Sequence, residues 1–307
     1  MTDNIADLLI TRRDFVKVVG AGAASLLIPG CEGKPEQAKT SKRKYPIEIK
    51  PGLEKIADMD HERYNCSVLS HKNLIHVIGG SSDWRWTWPT AKYSTFDPEN
   101  LICTPRKEMD EALARMASFV FEEDIMTVGG KMSDKGELGS GPIVDYVFRH
   151  DVCNNEWHTL RPFKFPISSA QAVVPDGTPC ILGGYIKNGE INLDILVYDK
   201  SKDNWDVKTR IPKPVDKITA AAKDGKIYVF GSRYDWQGKE MVMLQIYNFR
   251  KDKWEDEKEI PWKFKFMHAF IHDNDPCLWV CNEGFNGGRL IYDSADVQDH
   301  AMFSSRR

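Results

Sequence analysis

The sequence predicts an all-β fold, a β-propeller of five four-stranded blades occupying residues 47–307. Three observations carry that prediction. Apolar runs ending in glycine, HVIGG, MTVGG, CILGG and YVFGS, recur so that Gly79, Gly129, Gly183 and Gly231 stand 50, 54 and 48 residues apart, and CLWVCN puts Cys281 a further 50 on. After each run comes a second signature, YSTFD, VFRHD, LVYDK, QIYNF or LIYDS, followed in three units by Trp157, Trp205 and Trp254, spaced 48 and 49. The 9 Trp, 10 Tyr and 14 Phe suit a chain of strands, on whose pleated surface aromatic rings pack well. A fixed period of this length marks a repeat architecture in which each unit buries its faces only against its neighbours.

Within each unit the elements follow in order. Stretches such as MASFVF and ITAAAK read as an inner strand, and turns such as DGT and KDGK reverse it. The run to the glycines is a second, fully buried strand. The glycine pair then lets the chain turn where a Cβ would strike the neighbouring sheet. After a variable loop the IYD-like residues form a third strand. A tight Asx-type turn leads into the tryptophan strand, whose indole covers the seam between sheets. In the first unit the tryptophan position falls at Ile102 or Cys103.

The glycine pair, Tyr-Asp and tryptophan in this order resemble the repeat of the kelch family, from about Asn65 to Asp293. That resemblance implies a propeller of the galactose oxidase-like superfamily. Kelch propellers more often have six or seven blades, so five means either a small ring or an open one completed by another chain. The segment PGLEKIADMD can supply the fourth strand of the last blade, because Leu53 precedes Met59 by the same 6 residues that separate Trp205 from Ile211 and Trp254 from Ile260. Terminal strands sharing one blade would close the ring.

Residues 1–31 read differently. Thr11-Arg12-Arg13-Asp14-Phe15-Val16-Lys17 closely resembles the twin-arginine export motif, with Val16 where leucine is usual. The uncharged run after Lys17 is too short to span a bilayer, and Gly20, Gly22 and Pro29 break a helix there. Leu27-Ile28-Pro29-Gly30-Cys31 resembles a lipobox, which implies lipidation of Cys31; cleavage at a nearby small residue would instead leave Cys31 an ordinary thiol. Residues 32–46 are polar, charged and proline-punctuated, so they read as a flexible tether. The resemblance implies export through the Tat route to the periplasm or outer face of a bacterial cytoplasmic membrane.

The formal net charge of −3, with no basic stripe outside the tether, excludes nucleic acid as the expected partner. Besides Cys31 there are Cys66, Cys103, Cys153, Cys180, Cys277 and Cys281, an even number that permits disulfides. Several fall inside apolar strand-like runs, where a cysteine serves as a small buried hydrophobe.

Propellers carry function in loops at one end of the central channel. The loop after the first glycine pair, SSDWRWTWPTAKY, alternates Trp84, Trp86 and Trp88 around Arg85, and the fourth loop repeats its Asp-Trp as Asp235-Trp236. Aromatic faces beside Asp and Arg suit stacking on a sugar ring or anchoring a protein partner. The same alternation also fits a strand with one face packed on the next blade. Arg63 and Arg115, each just before an inner strand, either face the channel and favour an anionic ligand or form structural salt bridges. His268 and His272 share a strand face but lie about 13 Å apart by strand rise, too far for a zinc pair. No metal site and no cofactor are expected. The tyrosine and histidine ligands of the copper-radical oxidases that contain kelch propellers do not map onto this chain.

Three functions remain open. One is an exported, membrane-tethered, non-catalytic module binding a protein partner or glycan of the cell envelope. Another is a sugar-acting enzyme, because some exported kelch propellers resemble sialic-acid mutarotases or epimerases; Arg63, Arg115, Glu108 and Glu123 would then be candidate channel residues. The last is an accessory subunit of an exported redox complex, since Tat signals often accompany cofactor-loaded proteins and their partners.

Overall fold

The computed structural model describes residues 59–60, 63–82, 88–133, 141–234, 237–238, 240–260, 266–272, 275–281 and 288–290. The proposed signal, the tether and the ring-closing strand before Met59 lie outside them.

The strands fall in sequence order into sheets with the predicted pattern. The first blade comprises β1 (Ser67–His71), β2 (Leu74–Ile78), β3 (Tyr93–Asp97) and β4 (Ile102–Pro105). The second comprises β5 (Ala117–Phe121), β6 (Asp124–Val128), β7 (Val147–Asp151) and β8 (Glu156–Thr159). In the third, a short pair, β9 (Ile167–Ser168) with β12 (Tyr185–Ile186), extends a sheet of β10 (Gln171–Val173), β11 (Cys180–Leu182), β13 (Asp194–Asp199) and β14 (Asn204–Arg210). The fourth comprises β15 (Asp216–Lys223), β16 (Lys226–Tyr234), β17 (Glu240–Asn248) and β18 (Lys253–Ile260). A fifth sheet shows three strands among the described residues, β19 (Phe266–His272), β20 (Asp275–Cys281) and β21 (Gly288–Leu290). All pairings within the blades are antiparallel.

β1, β5, β10, β15 and β19 neighbour one another in turn, so they line the axis and the blades radiate from them. Between blades the core is apolar. One cluster unites Ile78 and Tyr93 of the first blade with Leu113, Ile125 and Trp157 of the second. Another joins Ala117, Phe119 and Phe163 to Ile181 and Trp205, and a further one joins Cys180 and Ile195 to Ile218 and Tyr247. Met59, Met109, Phe163 and Ile211, each 20 residues before a first glycine, occupy the same place in successive seams.

Gly79, Gly129 and Gly183, all at positive φ, turn the chain as the repeat requires, whereas Gly231 lies inside the unbroken β16, where a Cβ would stand 2.5 Å from the Val215 side chain. A Cβ on Gly129, at φ +66, would stand 2.1 Å from Ile167 O of the next blade; Gly130 N–H donates to that same carbonyl at 2.8 Å. The Asx turns are present in all four complete blades. Asp97, Asp151, Asp199 and Asn248 accept through Oδ1 from the backbone N–H of Asn100, Asn154, Ser201 and Lys251. Cys103, not Ile102, fills the tryptophan position of the first blade: it pairs with Phe96 as Trp157, Trp205 and Trp254 pair with His150, Tyr198 and Tyr247. Cys180 is a buried core thiol, and Cys66, Cys103 and Cys153 are also unbridged.

Candidate functional site

The inner strands run antiparallel to the strands that end in glycine, so each inner strand begins beside a glycine pair: Ser67 faces Ile78, Ala117 faces Val128 and Gln171 faces Leu182. One rim of the propeller therefore collects the residues entering the inner strands and the loops that follow the glycines. Each loop stands on a closed base. Ser82 N–H donates to Trp88 O at 3.1 Å, Met132 N–H to Pro142 O at 3.1 Å and Ile186 N–H to Glu190 O at 2.9 Å, while Tyr234 pairs with Glu240.

Residues Asn65, Arg115, Ser169 and Lys217 each lie 14 residues before a first glycine, and all adopt positive φ, at 53°, 61°, 55° and 49°. That left-handed step swings the chain from the preceding blade into the inner strand. The first three are stitched together across blades: Arg115 N–H donates to Asn65 O at 2.9 Å and Ser169 N–H to Arg115 O at 2.8 Å. The second column, two residues after each first glycine, holds Ser81, Lys131, Tyr185 and Arg233.

Arg115 and Lys131 bring two positive charges together. Burial, and then the Arg115 guanidinium, holds the Lys131 ammonium below the usual lysine range. Next to them the Tyr185 hydroxyl donates to Asp216 Oδ1; burial and this carboxylate push the phenol up to about 12, so it stays a neutral donor. Asp216 Oδ1 also accepts the N–H of Lys217 at 2.6 Å. The rim thus offers half-buried cations, which bind anions, beside a phenol whose single hydrogen Asp216 already holds. Among the described residues no His, Cys, Asp and Glu converge in a group of three or more.

Several proteins resemble the chain. No protein-family profile matches it. Beta-scruin of Limulus polyphemus is 23% identical over 221 residues, 70% of this chain and 24% of the relative. Kelch-like protein 41a of Danio rerio is 24% identical over 198 residues, 63% of this chain and 32% of the relative. A solved structure described as "Structure of YjhT" superposes with a TM-score of 0.61 at 11% identity, covering 75% of this chain and 84% of that one. The fold is a kelch-type β-propeller. The chain spans about a quarter to a third of the length of these two sequence relatives.

Within the kelch propeller the sequence candidates separate. Trp88 stands on the rim, 63% exposed. Arg115 lies on the same rim, in the cluster just described. Arg63 does not: it is buried, donating through Nη1 to Val77 O at 3.0 Å and Lys92 O at 2.9 Å, and through Nη2 to Asp60 at 2.9 Å and to Ser94 Oγ. Its place, 16 residues before the first glycine, holds Leu113, Ile167 and Val215 in the next three blades, so it belongs to the seam. Glu123 sits in the β5–β6 turn at the opposite rim, paired with Lys72 at 2.9 Å, while Glu108 is exposed on the link between the first two blades. Trp84, Arg85, Trp86, Asp235, Trp236, Arg12, Arg13 and Cys31 lie outside the described residues. Sequence reasoning missed Lys131, Tyr185 and Lys217. Extending the repeat alignment on either side of the glycines would have exposed both columns.

Proposed function

We propose that this kelch propeller is an exported, membrane-tethered binding module that presents its post-glycine rim to a protein partner of the cell envelope. One observation carries the reading: loop bases from four blades, the exposed Trp88 and the Arg115–Lys131 pair all stand at one rim. Trp and Arg are the usual anchors of protein interfaces. The propeller-bearing relatives support an interaction role, and the TRRDFVK string with its polar tether supports export. The same cations beside an exposed indole also suit an acidic glycan, which is the second reading.

Site-specific photocrosslinking in the envelope distinguishes these. A crosslinking residue at Trp88 should trap one protein, and Lys131→Gln should abolish the adduct; the same residue at Lys200, on the opposite rim, should trap none. Equal adducts from both positions would overturn the rim assignment. Binding of an acidic glycan on an array, lost in Lys131→Gln and without a protein adduct, would replace the partner with a sugar.

A further inference from the structure

Trp157, Trp205 and Trp254 occupy one column of the repeat, yet they are not tied down alike. Trp157 Nε1 donates to Lys107 O at 2.8 Å, and Trp254 Nε1 donates to Thr209 Oγ1 at 3.2 Å. Each acceptor lies 4 residues after the tryptophan-column residue of the preceding blade, Cys103 or Trp205. The residue in that place opposite Trp205 is Arg161, 4 after Trp157. Trp205 is only 5% exposed, but among the described residues its indole N–H donates to nothing. One difference is visible in the chain. Pro162 follows Arg161, where Glu108 follows Lys107, and a proline constrains the residue before it.

A cavity of about 320 Å³ opens at this seam between the second and third blades. Met126, Val147, Phe163 and Trp205 supply its apolar side, and Arg161 and Lys164 its cations. Both cations are exposed, and neither meets a carboxylate among the described residues. The one carboxylate lining the cavity, Asp203, already accepts the Tyr198 hydroxyl at 2.8 Å. The Trp205 Nε1 atom itself is not sealed from solvent, so water satisfies it, and one water does not fill the space, since a water takes about 30 Å³ of liquid volume. The volume stands at the small end of ligand sites, roughly 300 Å³ and upward.

We propose that this seam is a binding site for a small organic anion with an apolar body, such as an aromatic or branched aliphatic monocarboxylate. The carboxylate accepts from Trp205 Nε1 and pairs with Arg161 and Lys164, and the apolar body lies against Phe163 and Met126. The site is separate from the loop rim and does not rest on the binding-module reading.

Phenylacetate, benzyl alcohol and benzylamine titrated into the ¹⁵N-labelled full chain test this. Phenylacetate should shift one indole N–H resonance saturably, the one missing in Trp205→Phe. Arg161→Gln/Lys164→Gln, two exposed changes that leave the fold intact, should weaken it about tenfold or more. Benzylamine should not bind. The proposal is overturned if phenylacetate moves no indole resonance up to its solubility limit, which would mean a merely hydrated seam. It is equally overturned if benzyl alcohol and benzylamine bind as well as phenylacetate, or if the double variant binds unchanged.

Discussion

His150 donates from Nε2 to Asn155 Oδ1 at 3.3 Å, in the place where Tyr198 and Tyr247 donate to Asp203 and Asp252. The second blade has therefore exchanged the tyrosine–aspartate pair of its neighbours for a histidine–asparagine pair. His150 is buried against Trp157 and Tyr93, with ring centroids 4.7 Å away in each case, and its Nδ1 has no partner among the described residues. Across Tyr93 stands a second buried histidine, His76, whose Nε2 donates to His71 O at 3.1 Å while Nδ1 accepts the Tyr93 hydroxyl at 2.6 Å.

That pair predicts an acid-sensitive fold. Burial pulls both histidines from 6.5 to about 4, with the Arg106 charge adding to it. The unfolded chain thus binds more protons between those values, so stability is full above about pH 6.5, falls as pH drops to about 4 and levels off below. Each histidine accounts for on the order of 3 kcal/mol across the window when titrated singly. Thermal unfolding at steps through this range should show the slope, and His150→Phe, the ring type of Phe96 in the first blade, should remove about half of it. An unchanged slope in that variant would assign the acid sensitivity elsewhere.

Arg63 predicts a strong asymmetry between single and double substitution. Arg63→Leu should destabilise by about 3–5 kcal/mol, because Asp60 and Ser94 lose their buried partner. Adding Asp60→Ala should recover much of that loss, since Leu113 fills the same place in the second blade without cost. Denaturant midpoints of the three proteins give the comparison. If the charge instead served a ligand, Arg63→Leu would keep its stability.

Two glycines of positive φ should respond very differently to alanine. Gly177 has nothing within 4 Å of an added Cβ, so Gly177→Ala should cost roughly 1 kcal/mol of backbone strain. At Gly129 the Cβ meets the Ile167 carbonyl of the next blade and displaces the Gly130 hydrogen bond, so Gly129→Ala should cost about 3 kcal/mol or more. Chemical denaturation ranks them, and equal losses would refute the seam contact as the reason for the glycine.

The export reading predicts that Arg12→Lys with Arg13→Lys retains the protein inside the cell. Cys31→Ala should leave it exported but soluble after fractionation. Membrane attachment that survives Cys31→Ala would remove the lipid tether from the proposal.

The blades were legible because their marks are local and repeat. Gly79, Gly129 and Gly183 sit where a strand must turn against its neighbour, Gly231 where its strand passes close to Val215, and the Asx residues Asp97, Asp151 and Asp199 close turns with N–H groups two or three residues away. Arg115 was legible as a candidate by its position before an inner strand. Its company was only half so: Lys131 reaches it within the same blade, through the Ala114–Lys131 pairing that prolongs the β5–β6 ladder, whereas Tyr185 comes from the third blade and only packing of blades two and three brings it there.

By itself the sequence determined the period, the order of strands in each blade and the residues at each turn, since these depend on neighbours along the chain. Tertiary structure decided which polar groups survive burial. Arg63 became part of a seam because Asp60, Val77, Lys92 and Ser94 converge on it, while among the described residues Trp205 lacks the acceptor across the seam that Trp157 and Trp254 have. Those outcomes turn on distances between blades of a few ångströms, which no spacing along a single chain encodes.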